Sequence, residues 1–252
     1  MENKTKTVML LGGTKGVGLE ILKACLSKGY NVAFCGRNRS EGLQIIETLD
    51  AENDLYFHEL DLNVSSGIKD YHDATLNRFG SIDALILYAG ITPFSSILEI
   101  DETVYDSVFN INLKAPFFLL KYVLKTMIHQ KSGSVVFFGS AHMECGEEDR
   151  TAYALTKGAL NQLSTHIARH YSKYGIRSNY LIMGWTNTEG EIALRAKKGI
   201  SEEELKSQVE ESIPMGRMLN TTDPVPMVMH LISDDSLMTT GSIIRITGGQ
   251  YI

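Results

Sequence analysis

Short apolar runs rich in Val, Ile, Leu and Phe recur along the chain, separated by longer stretches whose apolar residues fall at helical spacing. Runs of four to eight such residues without polar alternation are the signature of strands buried on both faces. Seven of them are read as strands: 7–11, 31–35, 55–59, 84–88, 134–139, 177–182 and 242–246. Helices are expected in the intervals, the longest over 151–174. Strands alternating with helices, joined by right-handed crossovers, predict an α/β chain with a doubly wound, mostly parallel seven-stranded sheet and helices on both faces. Ligands are then expected at the carboxyl ends of the strands.

The rhythm fails over 186–216, where the charged stretch TNTEGEIALRAKKGISEEELKSQVEES follows the sixth strand. A long irregular segment at a strand end reads as a substrate lid; a solvated helical excursion is the alternative. At 252 residues, 43% apolar and 21% charged, the chain is expected to form one domain around one core. No apolar stretch reaches membrane-spanning length, and MENKTKT before VMLLGG does not read as a signal peptide, so a soluble cytoplasmic protein is expected. A net charge of −6 argues against generic nucleic-acid binding. Cys25, Cys35 and Cys145 are widely spaced, and no Cys/His cluster has metal-ligand spacing, so neither disulfides nor a metal site is expected.

The first chemical signal follows the first strand: Gly12-Gly13-Thr14-Lys15-Gly16-Val17-Gly18, opening an apolar-periodic helix. Glycines allow positive φ and close backbone approach, and a helix N-terminus favours anions, so the turn suits a pyrophosphate. A purely structural tight turn is the competing reading. The second strand runs into Gly36-Arg37-Asn38, without the acid that usually accepts a ribose 2′-hydroxyl. Arg37 offers a forked donor for a 2′-phosphate and Lys15 adds a cation, which selects NADP(H) over NAD(H).

Tyr153 and Lys157, four residues apart and so on one helix face, follow Ser140 at the end of the apolar run SVVFFGS. Bringing a phenol from a pKa of about 10 to neutrality takes roughly 4 kcal/mol. A cation about 4 Å away at an effective dielectric near 20 supplies a gross energy of that order, which nominates Lys157 as the activator. Ser140 would bind a substrate oxygen and Tyr153 would exchange a proton with it.

The glycine turn, Ser140, Tyr153 and Lys157, in this order, resemble the short-chain dehydrogenase/reductase family, in its compact branch that includes 3-oxoacyl carrier-protein reductases. Asp61-Leu62, NINLKAPF with Asn112, GIRSN, Ile213-Pro214-Met215-Gly216-Arg217 and Thr247-Gly248-Gly249 extend the resemblance over the whole chain. It implies a Rossmann fold, an NADP(H)-dependent oxidoreductase acting on a carbonyl or alcohol, and a catalytic set Asn112, Ser140, Tyr153 and Lys157. It also implies cofactor contacts from Gly12, Thr14, Lys15, Gly16, Val17, Gly18, Arg37, Asn38, Asp61, Leu62, Ala89, Gly90, Gly184, Thr186 and Thr188, besides Tyr153 and Lys157. The chain departs from the family at Tyr88, where Asn is usual, and at Met183, where Pro is usual. The resemblance further implies a homotetramer, with a dimer as the alternative, pairing through the helices around 101–129 and 151–174.

Thr92, Phe94, His142, Met143 and Trp185 follow strand ends and are candidate walls of a substrate pocket; the run 144–150 reads as a solvated loop. Two other function classes fit the same fold: a sensor or scaffold that binds NADP(H) without turnover, and an epimerase or lyase.

Overall fold

The computed structural model describes residues 5–251. The first half runs β1 (Thr7–Leu11), α1 (Gly16–Ser27), β2 (Asn31–Gly36), α2 (Arg39–Thr48), β3 (Leu55–Glu59), α3 (Ile68–Phe79) and β4 (Ala84–Leu87). Next come α4 (Glu102–Phe109), α5 (Ala115–Gln130), β5 (Gly133–Ser140), α6 (His142–Cys145), α7 (Thr151–Tyr171) and β6 (Ile176–Met183). The chain closes with α8 (Glu189–Lys198), α9 (Glu202–Ser212), α10 (Val225–Ile232) and β7 (Ile243–Ile246).

All seven strands are parallel, in the order β3-β2-β1-β4-β5-β6-β7. The order reverses between β1 and β4, which opens a crevice at their carboxyl ends. Because neither face of the sheet meets water, β1, β4 and β5 are buried at every position. Alternate residues of each strand serve opposite cores: Met9 and Leu11 pack beneath α3, α5 and α7, whereas Val8 and Leu10 pack beneath α1 and α10.

The strand expectations hold to within a residue or two at each end. The stretch 186–216 carries α8 and α9, in line with the helical alternative to an irregular segment. Ser201 caps α9: its hydroxyl accepts the Glu204 N–H while the Glu204 carboxylate accepts the Ser201 N–H, a reciprocal pair that fixes the first turn. Val209, Ile213 and Met218 then form a small separate core against Trp185 and Leu205. Among the described residues no helix is long and apolar enough to cross a membrane.

Candidate active site

The glycine turn lies at the β1/β4 crevice. Gly12, Gly13 and Gly16 have φ of 106°, 113° and 58°, a region that penalises any side chain. Space is as restrictive as dihedral angle: a Cβ on Gly13 would come within 2.8 Å of Leu10, and one on Gly18 within 3.0 Å of the Gly13 Cα. Lys15 occupies the N-cap of α1 in extended conformation without a side-chain cap, so its side chain leaves the first-turn amides of α1 to other partners. Such a cradle fits the phosphates of a dinucleotide, as the residue types require.

Around it the remaining expected cofactor positions gather at the same sheet edge. Thr14 packs close to Gly36, whose Cβ would stand 2.8 Å from the Thr14 methyl, and the exposed Arg37 follows at the end of β2. The Asn38 side chain caps α2 by accepting the Glu41 N–H at 3.2 Å. Asp61 accepts the Asn63 N–H at 2.9 Å, which shapes the loop that carries Leu62 after β3. Ala89 extends the ladder beyond β4 through its N–H to Leu11 O (2.8 Å). Beyond β6, the Thr186 hydroxyl donates to Gly184 O (3.0 Å), and the Thr188 hydroxyl accepts the Glu191 N–H (3.2 Å) at the start of α8.

Ser140 ends β5, its hydroxyl accepts the His142 N–H at 3.3 Å, and it lies near enough to the Tyr153 phenol to lower its pKa. Lys157, one turn along α7, is buried; its ammonium donates to Phe138 O at 2.8 Å, 5.5 Å from the centre of the Tyr153 ring. Tyr180 anchors this part of α7 by donating to Lys157 O at 2.8 Å, and Gly139 makes room for it, since a Cβ there would stand 2.1 Å from the Tyr180 ring. Asn112 lies in a π-helical turn, Asn110–Lys114, between α4 and α5. Its amide exchanges two hydrogen bonds with the backbone of Ile91, both 2.8 Å, and donates to Thr156 Oγ1 at 3.4 Å. A Cβ on Gly90 would touch Asn112 Oδ1 at 3.2 Å and Lys157 Nζ at 3.6 Å, so the three residues meet. The π turn widens the helix where Asn112 must face inward, a use such turns often serve.

Burial pulls the two titrating groups in opposite senses. It lowers the Lys157 ammonium to about 8 and raises the Tyr153 phenol, which the Ser140 hydroxyl and the Arg150 guanidinium lower in part. The Lys157 ammonium, which the sequence nominates as the activator, lies 5.5 Å from the centre of the Tyr153 ring and donates to Phe138 O, and the Arg150 guanidinium is a second cation that lowers the phenol.

Arg150, which the sequence places in a charged run, comes next to the site. An isolated bridge pairs Ser95 with Arg150 and pulls the loop after β4 onto the start of α7. The guanidinium then lies 4.1 Å from the centre of the Phe94 ring, donates to the Thr92 hydroxyl at 2.9 Å, and pairs with Glu147 at 3.3 Å. His142 stands edge-on to Tyr153 with ring centres 6.0 Å apart, and Met143 accepts the Tyr180 hydroxyl at 3.4 Å. Burial and then Arg150 lower the His142 imidazole, against the raising effect of Glu147 and Asp149. Trp185 donates from Nε1 to Glu191 at 2.8 Å and so ties the end of β6 to α8. Phe94, Leu98, Glu99, Glu147, Glu148 and Asp149 line an open cleft of about 540 Å³ beside these residues.

Spacing gave no hint that His142, Cys145 and Glu147 would place ligand-type atoms within 4.8 Å of one another. That carboxylate is already shared: it takes the Tyr251 hydroxyl at 2.7 Å and pairs with His142 at 2.8 Å, as well as with Arg150.

The family model described as enoyl-(acyl carrier protein) reductase matches residues 12–250. The chain belongs to the short-chain dehydrogenase/reductase family. An uncharacterized oxidoreductase of Thermotoga maritima is 30% identical over 99% of both chains. The 3-oxoacyl-[acyl-carrier-protein] reductase of Chlamydia pneumoniae is 29% identical over 97% of this chain and 96% of its own. Among solved structures, ElxO with NADP bound superimposes with a TM-score of 0.88 at 26% identity over 98% of both chains. An actinorhodin polyketide ketoreductase with NADPH shares the fold alone, with a TM-score of 0.91 at 22% identity over 98% of this chain and 97% of its own. As a short-chain dehydrogenase/reductase the chain is an oxidoreductase, and its neighbours bind a nicotinamide cofactor.

Proposed function

We propose that this protein is an NADP(H)-dependent reductase of a carbonyl substrate, working through Ser140, Tyr153, Lys157 and Asn112. The observation that carries the reading is convergence: Ser140, Tyr153 and Lys157 close on one another at the carboxyl edge of β5, with Asn112 and Gly90 against the lysine. The glycine cradle, with Thr14, Lys15, Val17 and Ala89, holds the dinucleotide; Arg37, Asn38, Asp61 and Leu62 serve its adenosine end, and Gly184, Thr186 and Thr188 its nicotinamide end. When bound, the cofactor supplies the hydride.

The chain's own residues do the rest. Ser140 donates to the substrate oxygen and thereby polarises the carbonyl. Tyr153 is kept protonated by its burial and gives its proton to that oxygen as negative charge develops there. The resulting phenolate is met by the Ser140 hydroxyl and the Arg150 and Lys157 cations. Lys157 also binds the ribose hydroxyls, and Asn112 fixes the α4–α5 break beside it. Thr92, Phe94, His142, Met143 and Trp185 wall the substrate pocket, and 186–216 is its lid, hinged through the Trp185–Glu191 bond.

The protein is further proposed to be a homotetramer. Tyr105, Phe117 and Leu155 are exposed on α4, α5 and α7, Leu237 and Met238 are exposed ahead of β7, and Ile243 is exposed on that edge strand, so apolar side chains are left for a partner. The experiment that tests the function is titration with NADPH and NADH by fluorescence, followed by a carbonyl panel read at the nicotinamide absorbance. Preferential NADPH binding with turnover that falls by at least 100-fold in Tyr153→Phe is expected. Turnover unaffected by that change would remove Tyr153 as the acid, and binding of neither nucleotide would end the reading.

A further inference from the structure

His142 and Cys145 stand one turn apart on α6, so their side chains share a face. Gly146 then takes a φ of 68°, in the left-handed region, and the chain reverses and brings Glu147 back against that face. His142 Nδ1 lies 3.8 Å from Cys145 Sγ and 2.8 Å from Glu147 Oε2, and the three ligand-type atoms fall within 4.8 Å of one another. All three residues are half-buried, and the cluster borders Tyr153, whose ring centre is 6.0 Å from that of His142.

Neighbouring residues hold this geometry from outside. The Tyr251 hydroxyl donates to Glu147 Oε1 at 2.7 Å, which fixes the carboxylate and leaves Oε2 toward His142. Arg245 anchors α6 through a forked pair with Glu144, one arm at 2.9 Å. Arg150 Nε stands 3.3 Å from Oε2 yet makes no hydrogen bond among the described residues, so that oxygen keeps room for another cation. Glu99, Glu148 and Asp149 along the adjoining cleft add negative charge.

An imidazole, a thiol and a carboxylate make a donor set for zinc; nitrogen and sulfur are poor ligands for Mg²⁺ or Ca²⁺, and three protein ligands leave a fourth position to water. Bonds of roughly 2.0–2.3 Å around a tetrahedral zinc set ligand atoms about 3.3–3.7 Å apart. The Nδ1–Sγ spacing is already close to this, and the Nδ1–Oε2 spacing has to open by roughly half an ångström. We infer that His142 Nδ1, Cys145 Sγ and Glu147 Oε2 form a zinc-binding site beside Tyr153, with Tyr251 orienting the carboxylate from behind. On binding, the Cys145 thiol gives its proton to solvent and the thiolate bonds the metal. The site needs neither nucleotide nor turnover, so it stands or falls apart from the reductase reading.

The test titrates the reduced protein with Co²⁺, whose thiolate complexes absorb in the near ultraviolet, and then displaces that ion with Zn²⁺. The expected result is a saturable thiolate charge-transfer band at one equivalent of Co²⁺, abolished by zinc and not by Mg²⁺. Cys145→Ser should lose the band, and Glu147→Gln should bind zinc at least 10-fold more weakly in competition with a chromophoric chelator. Tyr251→Phe keeps all three ligands and should weaken zinc binding by about 10- to 100-fold, the usual cost of losing an outer partner. Should Cys145→Ser fold poorly, Cys145→Ala must lose the band equally. Absence of a saturable band, a band that survives in Cys145→Ser, or unchanged zinc affinity in either Glu147→Gln or Tyr251→Phe overturns the proposal. So does metal uptake without the band, which the exposed His166 and His170 on α7, with ring centres 4.3 Å apart, would give.

Discussion

Replacing Lys157 by Met removes a buried ammonium and should change how stability depends on pH. In the folded chain the ammonium titrates at about 8, against 10.5 for the free side chain, because burial disfavours its charged form. Between those values the unfolded chain binds more protons than the folded one, so stability rises with pH across this window. The cost of burying the charge is fully present below pH 8 and is relieved as the lysine deprotonates in the fold. For one site with this shift, the gain between pH 7 and pH 9 is about 1 kcal/mol. Other buried groups act in the opposite sense: the Tyr71 and Tyr180 phenols and the Cys25 and Cys35 thiols are all raised by burial and lose stability at high pH. The useful quantity is therefore the difference between wild type and Lys157→Met, in which those contributions cancel. Urea unfolding of the nucleotide-free proteins at pH 7, 8 and 9, at one protein concentration, measures it. Wild type should gain about 1 kcal/mol on the variant over that range, whatever the offset at pH 7 from losing the bond to Phe138 O. A difference that stays flat or falls would show that the ammonium is solvated, and the account of Lys157 as a buried cation would fail.

Three further outcomes test other parts of the argument. Arg150 lowers the Tyr153 phenol, and reduction needs that phenol protonated, so Arg150→Leu should move the alkaline limb of the rate profile to higher pH under saturating cofactor; an unmoved limb would take Arg150 out of the proton-transfer account. Arg37→Asp should weaken NADPH binding by about 10- to 100-fold, the value of charge-assisted bonds to phosphate, and NADH binding far less, as read by fluorescence titration; equal losses would remove Arg37 as the discriminator. Sedimentation should give a mass of four chains, and a single 28.0 kDa species at micromolar concentration would refute the assembly.

The sheet was legible because parallel strands covered on both faces need apolar side chains at every position, and such runs stand out between charged helices. The glycine turn was legible for a related reason: its backbone geometry admits few other residues. What was misread shows where local pattern stops. The stretch 186–216 looked irregular because its charges mask the few residues that matter; Ser201 with Glu204, three apart ahead of Leu205 and Val209, is a capping signal that would have found α9. The π turn at Asn112 also left a trace, since Pro116 interrupts an otherwise helical run and marks a fresh helical start. Arg150 left none. It stood in a charged run read as a solvated loop of which one member could face the pocket, and only the pairing of Ser95 with Arg150, far apart in sequence, brings its guanidinium over Phe94. Tyr88 lay between these cases: the sequence marked it as a departure, but its edge-on packing against Phe138 follows from the sheet order, which sets β4 beside β5.

The two shifts at the centre of the site have one cause and a chemical consequence. Burial raises the phenol of Tyr153 above its ordinary value of 10.0 and lowers the ammonium of Lys157 to about 8, so the usual near-equality of the two groups is opened into an order. The lysine gives up its proton first, and the phenol holds its own through neutral pH. A tyrosine in that state is prepared to donate, which is the role carbonyl reduction asks of it, and it donates to an oxygen that Ser140 can already polarise. Its phenolate is the costly species here, and each feature that lowers that cost adds positive charge or a donor at the same point: Ser140 at the end of β5, Arg150 drawn in by Ser95, and Lys157 one turn along α7. The groups that stabilise the phenolate after donation serve the reverse step equally, so the arrangement provides for proton exchange between Tyr153 and the substrate oxygen in either direction.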